Sequence, residues 1–459
     1  MRFLWLRTNP LQTTTTTDPA SLDAQRGQLW RVLGVGFGLA VIIGNTIGAG
    51  IFRAPGTIAE QLPNPWLFLG VWVVGGLYAL LGAISLAELG TMIPRSGGQY
   101  VYSRYALGEY AGFIVGWSDW ISSCGSTATV ALLIGQFSGA LVPALAGRGL
   151  VVAAAVVIVF AALQWRGIVW GSNIQNLTSL LKALAFLALI VAAFMLGGGG
   201  AFTASETYPT PIGMALVVAV VFSLREVIYT YDGWSGVIYF SEEVKNPNRD
   251  IPRSLFGGVL TITAIYLLVN VALLYVLPIS GIAGKEFAAG EAANVIFGNY
   301  GDSIFRCLTI VSMLSGINAL HLMATRVIFG MSRDGLFTTK AAVVNEGGTP
   351  SVSLWLSALV AILFIVFGQT AGWVITIVSF YFVANYILSF ISLFVLRRRE
   401  PEKPRPYRAW GYPWTTGLAL IGSILFLAGT VASDTWNSVY ALALLAVSYP
   451  VFRLMKRAR

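Results

Sequence analysis

The sequence predicts an all-α polytopic membrane protein, and three observations carry that expectation. Of 459 residues, 56% are hydrophobic and only 11% are charged, roughly half the charged fraction of a water-soluble domain. The apolar residues gather into runs of about 20, the length that crosses the hydrocarbon core of a bilayer as a helix. The 29 Lys and Arg residues are shared unequally between alternate connections, as in a chain oriented by the positive-inside rule. Two Cys and a single His argue against a disulfide scaffold and against a metal or cofactor centre built from protein ligands. His321 also leaves little room for Ser/His/Asp or Cys/His catalysis.

Taken in order, residues 1–30 form a polar tail containing Thr13–Thr17, with no apolar face to bury and no signal-peptide core. It is expected to be a disordered cytosolic segment. Apolar runs follow at about 33–56, 66–92, 99–142, 149–165, 172–197 and 213–241. Six more lie at about 255–278, 303–330, 352–369, 371–396, 413–431 and 436–454. The run 99–142 is long enough to hide a break, so parity needs a second test. With the N-terminus inside, 23 Lys and Arg fall on that side and only Arg53, Arg148, Lys285 and Arg306 on the other, with Lys182 and Arg225 inside spans. An odd number of spans would scramble this split. The expectation is twelve transmembrane helices with both termini cytoplasmic, in the cell (inner) membrane. The net charge of +9 is then topological, and no nucleic-acid partner is implied.

Two runs are unlike ordinary spans. The first contains Gly44-Asn45-Thr46-Ile47-Gly48-Ala49-Gly50, and the sixth contains Tyr229-Thr230-Tyr231-Asp232-Gly233-Trp234-Ser235-Gly236. Each opens a block of five spans, at 31–197 and 213–397, with 411–454 as two further helices and 455–459 as a basic tail. Interrupted helices at matching positions of two halves point to a secondary transporter built from inverted repeats. Helix-packing glycines are the plainer alternative for either run alone. In hydrocarbon an unpaired backbone group costs several kcal/mol, so a break persists only where something satisfies it. Freed N–H groups near Gly48, Ala49 and Gly50 suit a carboxylate, and the carbonyls ending the facing half-helices suit an ammonium. An α-amino acid fits both ends.

Further motifs follow in chain order. Ile47-Gly48-Ala49-Gly50-Ile51-Phe52 precedes Pro55-Gly56, and Ala87-Glu88-Leu89 precedes Pro94 and Gly97-Gly98-Gln99-Tyr100. Tyr231-Asp232-Gly233-Trp234 precedes Glu243-Val244-Lys245-Asn246-Pro247, then come Ser332-Arg333-Asp334-Gly335 and Pro404-Arg405-Pro406-Tyr407-Arg408 with Gly411-Tyr412-Pro413. Together these resemble the amino acid–polyamine–organocation (APC) superfamily of amino acid permeases, nearest the bacterial relatives of the L-type transporters. The resemblance implies a LeuT-type 5+5 inverted repeat with broken helices 1 and 6, transporting by alternating access. It places Thr46, Ile47, Gly48, Ala49, Gly50, Tyr229, Thr230, Asp232 and Gly233 at the substrate, with Tyr229 as an aromatic gate. In sodium-coupled members a cation joins spans one, five and eight. The resemblance puts Lys182 at that junction, its ammonium standing for sodium and contacting the Gly44 carbonyl and Ser312, with Ser315 alongside. A Lys paired with a nearby acid is the alternative. Eukaryotic relatives bind a glycoprotein through a Cys in the loop after span three. Here that loop, 142–149, has no Cys, and no disulfide-linked heavy subunit is expected.

Several roles stay open on residues alone. Asp232 could read positive charge on a substrate or cap the broken helix. Arg225 and Glu226 could form a vestibule gate or a local pair. Glu88 and Asp119 suit helix-to-helix links, and His321 suits core packing ahead of a proton relay. Gly34-Val35-Gly36-Phe37-Gly38 follows no strand and is not a nucleotide loop. The expected function is Na+-independent exchange or uptake of neutral L-amino acids, with no cofactor, no metal and no enzymatic activity. A cationic amino acid or polyamine antiporter is the alternative substrate class, and a non-transporting amino acid sensor the alternative function.

Overall fold

A computed structural model describes residues 28–48, 50–198, 209–368 and 371–457. Most of the tail expected at 1–30 lies outside the described residues. The described chain is helical, with two isolated bridges, Leu33 to Val244 and Val344 to Pro350, in place of strands.

The first apolar run divides into α1 (Val35–Thr46) and α2 (Gly50–Gln61), bent by 48° where Ile47 and Gly48 leave the helix. α3 (Pro65–Met92) starts at Asn64, whose side-chain oxygen accepts from the Trp66 and Leu67 amides while Pro65 supplies a pre-set first turn. The long run 99–142 splits. Gly108, at φ +101°, separates α4 (Gln99–Leu107) from α5 (Glu109–Leu141). A side chain is strained in that conformation, so the third span begins near residue 109 and α4 lies before it.

α6 (Gly149–Trp165) and α7 (Ile168–Leu196) follow. The sixth run gives α8 (Met214–Tyr231), a non-helical stretch at 232–235 and a 3-10 turn at Gly236–Phe240. α9 (Pro247–Val276) follows, then short α10 (Ile279–Ile282) and α11 (Ala288–Phe297). Next come α12 (Gly301–Arg333), α13 (Ser351–Phe367) and α14 (Ala371–Arg399), and α15 (Trp414–Ser433) and α16 (Thr435–Arg457) close the described chain.

Among the described residues nine helical segments are long and apolar enough to cross a membrane, ten with the bent pair α1–α2. α6 and α13 are as apolar but only 17 residues long. The lipid-facing character is direct: on α7, Leu177, Leu180, Leu184 and Leu187 are exposed on one side while Gln175, Ser179 and Lys182 are buried on the other. That inside-out pattern places hydrocarbon around the molecule and polar chemistry within it.

The two 33-residue helices α5 and α12 pack along one another at the centre, with α14 also on α5. α1 packs against α7, α9 and α12, and α2 against α8. Small residues allow the close approach that lipid alone does not drive; a Cβ at Gly116 of α5 would lie 2.5 Å from the Met331 sulfur of α12. The basic-rich face is laced by ion pairs. Glu88, fully buried, meets Arg397 at 2.6 Å and Arg405 at 3.0 Å and also accepts from the Ala409 amide. Asp334 binds Arg95, Arg104 and the Tyr100 hydroxyl.

Candidate functional site

The two breaks meet inside the helical bundle. Helix α1 ends with the carbonyls of Gly44, Thr46 and Ile47 beyond its own hydrogen-bond ladder, and α8 ends with that of Thr230. Each acquires a donor from another helix. Tyr266 of α9 donates its hydroxyl to both Thr46 O (2.8 Å) and Thr230 O (2.9 Å), so one side chain ties the two breaks together. Lys182 of α7, fully buried, donates to Gly44 O at 2.8 Å and to Ile47 O. Ser312 of α12 donates to that same Ile47 carbonyl at 3.2 Å. The ammonium thus joins α1 to α7, and Ser312 joins α12 to the shared carbonyl.

Ser315 sits in a neighbouring polar cluster. It meets Ser179 at 2.9 Å and Gln175 at 3.2 Å, and both of those donate to Ala40 O, one turn before Gly44. Asn318 continues the cluster by donating to Gln175 at 2.7 Å, and Gln164 donates to Asn318. This relay of amides and hydroxyls is neutral throughout, and every described member is buried. Small polar residues inside spans were its signal in the sequence, but convergence on Ala40 depends on how three helices are registered.

At the second break, α8 ends at Asp232, whose backbone N–H reaches Tyr229 O. Its carboxylate accepts from the Tyr386 hydroxyl of α14 at 2.7 Å, and Trp234 stacks on Tyr386 with ring centroids 5.2 Å apart. Gly233 has φ +106°, and a Cβ there would press on Asn45 at 2.7 Å. Glycine is therefore required both by conformation and by the close passage of the first break.

A cavity of about 480 Å³ opens from these breaks toward the basic-poor face, reaching Arg53, Thr57 and Asp434. Of the residues placed at the substrate by sequence, Thr46, Gly48, Gly50, Tyr229, Thr230 and Asp232 line it. Ile47 is fully buried and contributes its carbonyl to Lys182 and Ser312, and Gly233 packs on Asn45. Ala49 lies outside the described residues. The opposite wall carries Ser126, Thr129, Val130 and Leu133 from α5, with Leu320, Ser379 and Phe426 beyond. Arg225 and Glu226 also line the cavity and pair with each other at 2.6 Å.

Toward the basic-rich face the same elements are shut. Leu33 donates its amide to Glu243 O and receives the Lys245 amide, so the segment before α1 is fastened by main chain to the segment after the second break. Phe37 meets Phe240 edge-on at 5.0 Å. Arg326 of α12 holds Glu243 through two bonds of 3.0 and 2.9 Å, both side chains fully buried. Burial raises the Glu243 carboxyl above its ordinary range, and the Arg326 guanidinium opposes that rise. The pocket is thus open to one face and closed by paired charges and main-chain bonds at the other. His321 is packed in the core, its ring against the Leu354 carbonyl at 3.2 Å. The described residues contain no group of His, Cys, Asp or Glu arranged to hold a metal ion.

Comparison with known proteins matches residues 30–449 to the family model for amino acid permeases. The serine/threonine exchanger SteT of Bacillus subtilis (strain 168) is 31% identical over 440 residues, which cover 94% of this chain and 98% of that one. The b(0,+)-type amino acid transporter 1 of Homo sapiens is 26% identical over 442 residues, covering 93% and 88%. The Asc-type amino acid transporter 1 of Mus musculus is 28% identical over 403 residues, covering 84% and 74%.

Proposed function

This chain belongs to the amino acid permease family, and from that premise we propose that it carries small neutral L-amino acids across the cell (inner) membrane by Na+-independent alternating access. It is an integral membrane transporter, not an enzyme. The observation that carries the finer reading is the cavity at two broken helices whose junction with α7 holds an ammonium. With Lys182 already on the Gly44 and Ile47 carbonyls, a sodium ion has no vacancy to fill there. In this reading the α-carboxylate meets the amides at Gly48 to Gly50, the ammonium meets the end of α8, and Tyr229 closes over the ligand. The side-chain wall of Ser126, Thr129 and Ser379, backed by Val130, Leu133, Leu320 and Phe426, suits a short, hydroxylated or aliphatic substrate. The serine/threonine specificity in the name of the Bacillus relative agrees with that wall.

The same proposal takes 31–197 and 213–397 as two five-helix repeats of inverted topology, counts α6 and α13 as spans, and sets both termini in the cytoplasm. The basic-rich face is then cytosolic, and the cavity opens outward. It also takes the chain to act without a disulfide-linked subunit, because the loop after α5 carries no Cys, Cys124 is buried within α5, and the exposed Cys307 lies on α12 and not in that loop.

Uptake of a panel of radiolabelled amino acids into proteoliposomes, with and without internal amino acid, tests the reading. Alanine and serine are expected to enter, faster with an internal exchange partner, and replacing Na+ by choline is expected to leave the rate unchanged. Loss of uptake in choline would overturn the assignment of the junction.

Asp232 at the cavity favours a second reading, in which the substrate is cationic. On the neutral reading arginine is not carried, and Asp232→Asn lowers alanine uptake by about tenfold, the size of one charge-assisted hydrogen bond. Arginine uptake by wild type, lost selectively in Asp232→Asn, would establish the cationic class instead.

A further inference from the structure

Three carboxylates of the basic-rich face, Glu88, Glu243 and Asp334, each bind arginine. Two nearer the breaks are held by tyrosine instead. Asp232 has the Tyr386 hydroxyl, and Asp119 of α5, only 6% exposed, has the Tyr239 hydroxyl at 2.9 Å from both of its oxygens. Asp119 lies ten residues into α5, about 15 Å from its basic-rich end. Among the described residues the titratable groups acting on it are Tyr239, from the turn after the second break, and Asp232, from the break itself. No Lys, Arg or His of α5, α12 or α14 forms an ion pair with it among the described residues, and Lys182 is engaged with carbonyls elsewhere.

Two interacting carboxylates, one of them buried with only a hydroxyl as its side-chain partner, are costly to ionise together. A substrate ammonium beside Asp232 favours its ionised form. Asp119 is then left as the group that holds a proton. Its hydrogen-bond partner adjoins the closure: Tyr239 sits in Gly236–Phe240, next to Phe240 against Phe37 and just before the Glu243 and Val244 contacts that shut the basic-rich face. On the transport reading, parting that closure would draw Tyr239 away and admit water to Asp119.

Building on the transport reading above, we propose that Asp119 is a proton-binding site, filled in the state described here and emptied when the basic-rich face opens, so that a proton enters with the amino acid. The proton comes from cavity water past Asp232 and the Tyr386 and Tyr239 hydroxyls. At each step one O–H bond breaks as the next forms, ending at the Asp119 O–H, and on opening that bond breaks to give the proton to water on the basic-rich side, with no change of oxidation state.

The test uses the purified full chain in potassium-clamped liposomes that enclose a pH-sensitive dye, with alanine as the probe. Wild type is expected to acidify the lumen as alanine enters. Asp119→Asn is expected to lose acidification per alanine moved, whatever its rate. Tyr239→Phe keeps the carboxyl but removes the donor that favours its ionised form, so its profile of uptake against pH is expected to shift to higher pH by about one unit, the worth of one hydrogen bond to a protonation equilibrium. Should Asp119→Asn fail to fold, Tyr239→Phe decides alone. Alanine entry without acidification in wild type, a wild-type proton ratio in Asp119→Asn, or an unshifted Tyr239→Phe profile would each overturn the proton site. Failure to take up any amino acid would overturn the transport reading instead.

Discussion

Lys182→Ala is expected to slow amino acid uptake about a hundredfold while the protein still folds and binds its substrate. The substitution removes the donor shared by Gly44 O and Ile47 O, and a buried carbonyl left unpaired costs about 1–3 kcal/mol. Ser312 still serves Ile47, so the net loss is nearer 3 kcal/mol than twice that, which converts to roughly a hundredfold in a rate or equilibrium. That loss falls on the fastening of α1 to α7, the contact that must be made and broken as the two faces open in turn. The cavity wall keeps its ligands, so binding suffers less than turnover. Initial uptake rates compared with ligand-induced thermal stabilisation separate the two. Normal turnover in Lys182→Ala would show that the ammonium is a structural pair and has no part in the cycle.

Gly48→Leu is expected to abolish binding without unfolding the protein. A Cβ at Gly48 meets nothing within 4 Å, and the residue lines the cavity, so the new side chain grows into the space assigned to the substrate carboxylate. Gly50 is a poorer place for this test: a Cβ there would come within 2.9 Å of Thr230 Oγ1 and push α2 from α8. Folding is checked by monodispersity and thermal unfolding, and binding by stabilisation with alanine or serine. Wild-type affinity in a folded Gly48→Leu protein would remove the carboxylate from this break.

Both breaks were legible in sequence because their cause is local. Glycines and an acid crowded at mid-depth of an apolar run weaken a helix wherever it sits. Lys182 was legible for a related reason, since a charge in hydrocarbon demands a partner even before the partner is known. Gly108 was not: one glycine in a run of more than forty residues is averaged away by hydropathy, and its φ of +101° is a property of the folded backbone. Tyr266 was hidden more deeply. A tyrosine among apolar residues reads as packing, and only the approach of α9 to both breaks turns its hydroxyl into their common donor. Ser315 was placed beside Lys182, but its partners Gln175, Ser179 and Asn318 escaped on the same ground, because the cluster lies on two helices separated by more than a hundred residues. Asp119 could be seen as a helix-to-helix link, but not that its partner would be a hydroxyl and not a cation.

The fastening of Leu33 to Glu243 and Lys245 is made by amides and carbonyls alone. Side chains can be exchanged at either end without deleting a single one of those bonds, whereas Arg326 and Glu243 beside it must change together or leave a charge stranded. The two halves of this closure therefore age differently. Over many generations the ion pair records its history as correlated substitutions, while the main-chain half drifts silently and loses its bond only to proline, which has no N–H to give. A survey of tolerated variants would find the strongest constraint on the arginine and the glutamate, and would pass over the neighbour that shares their work.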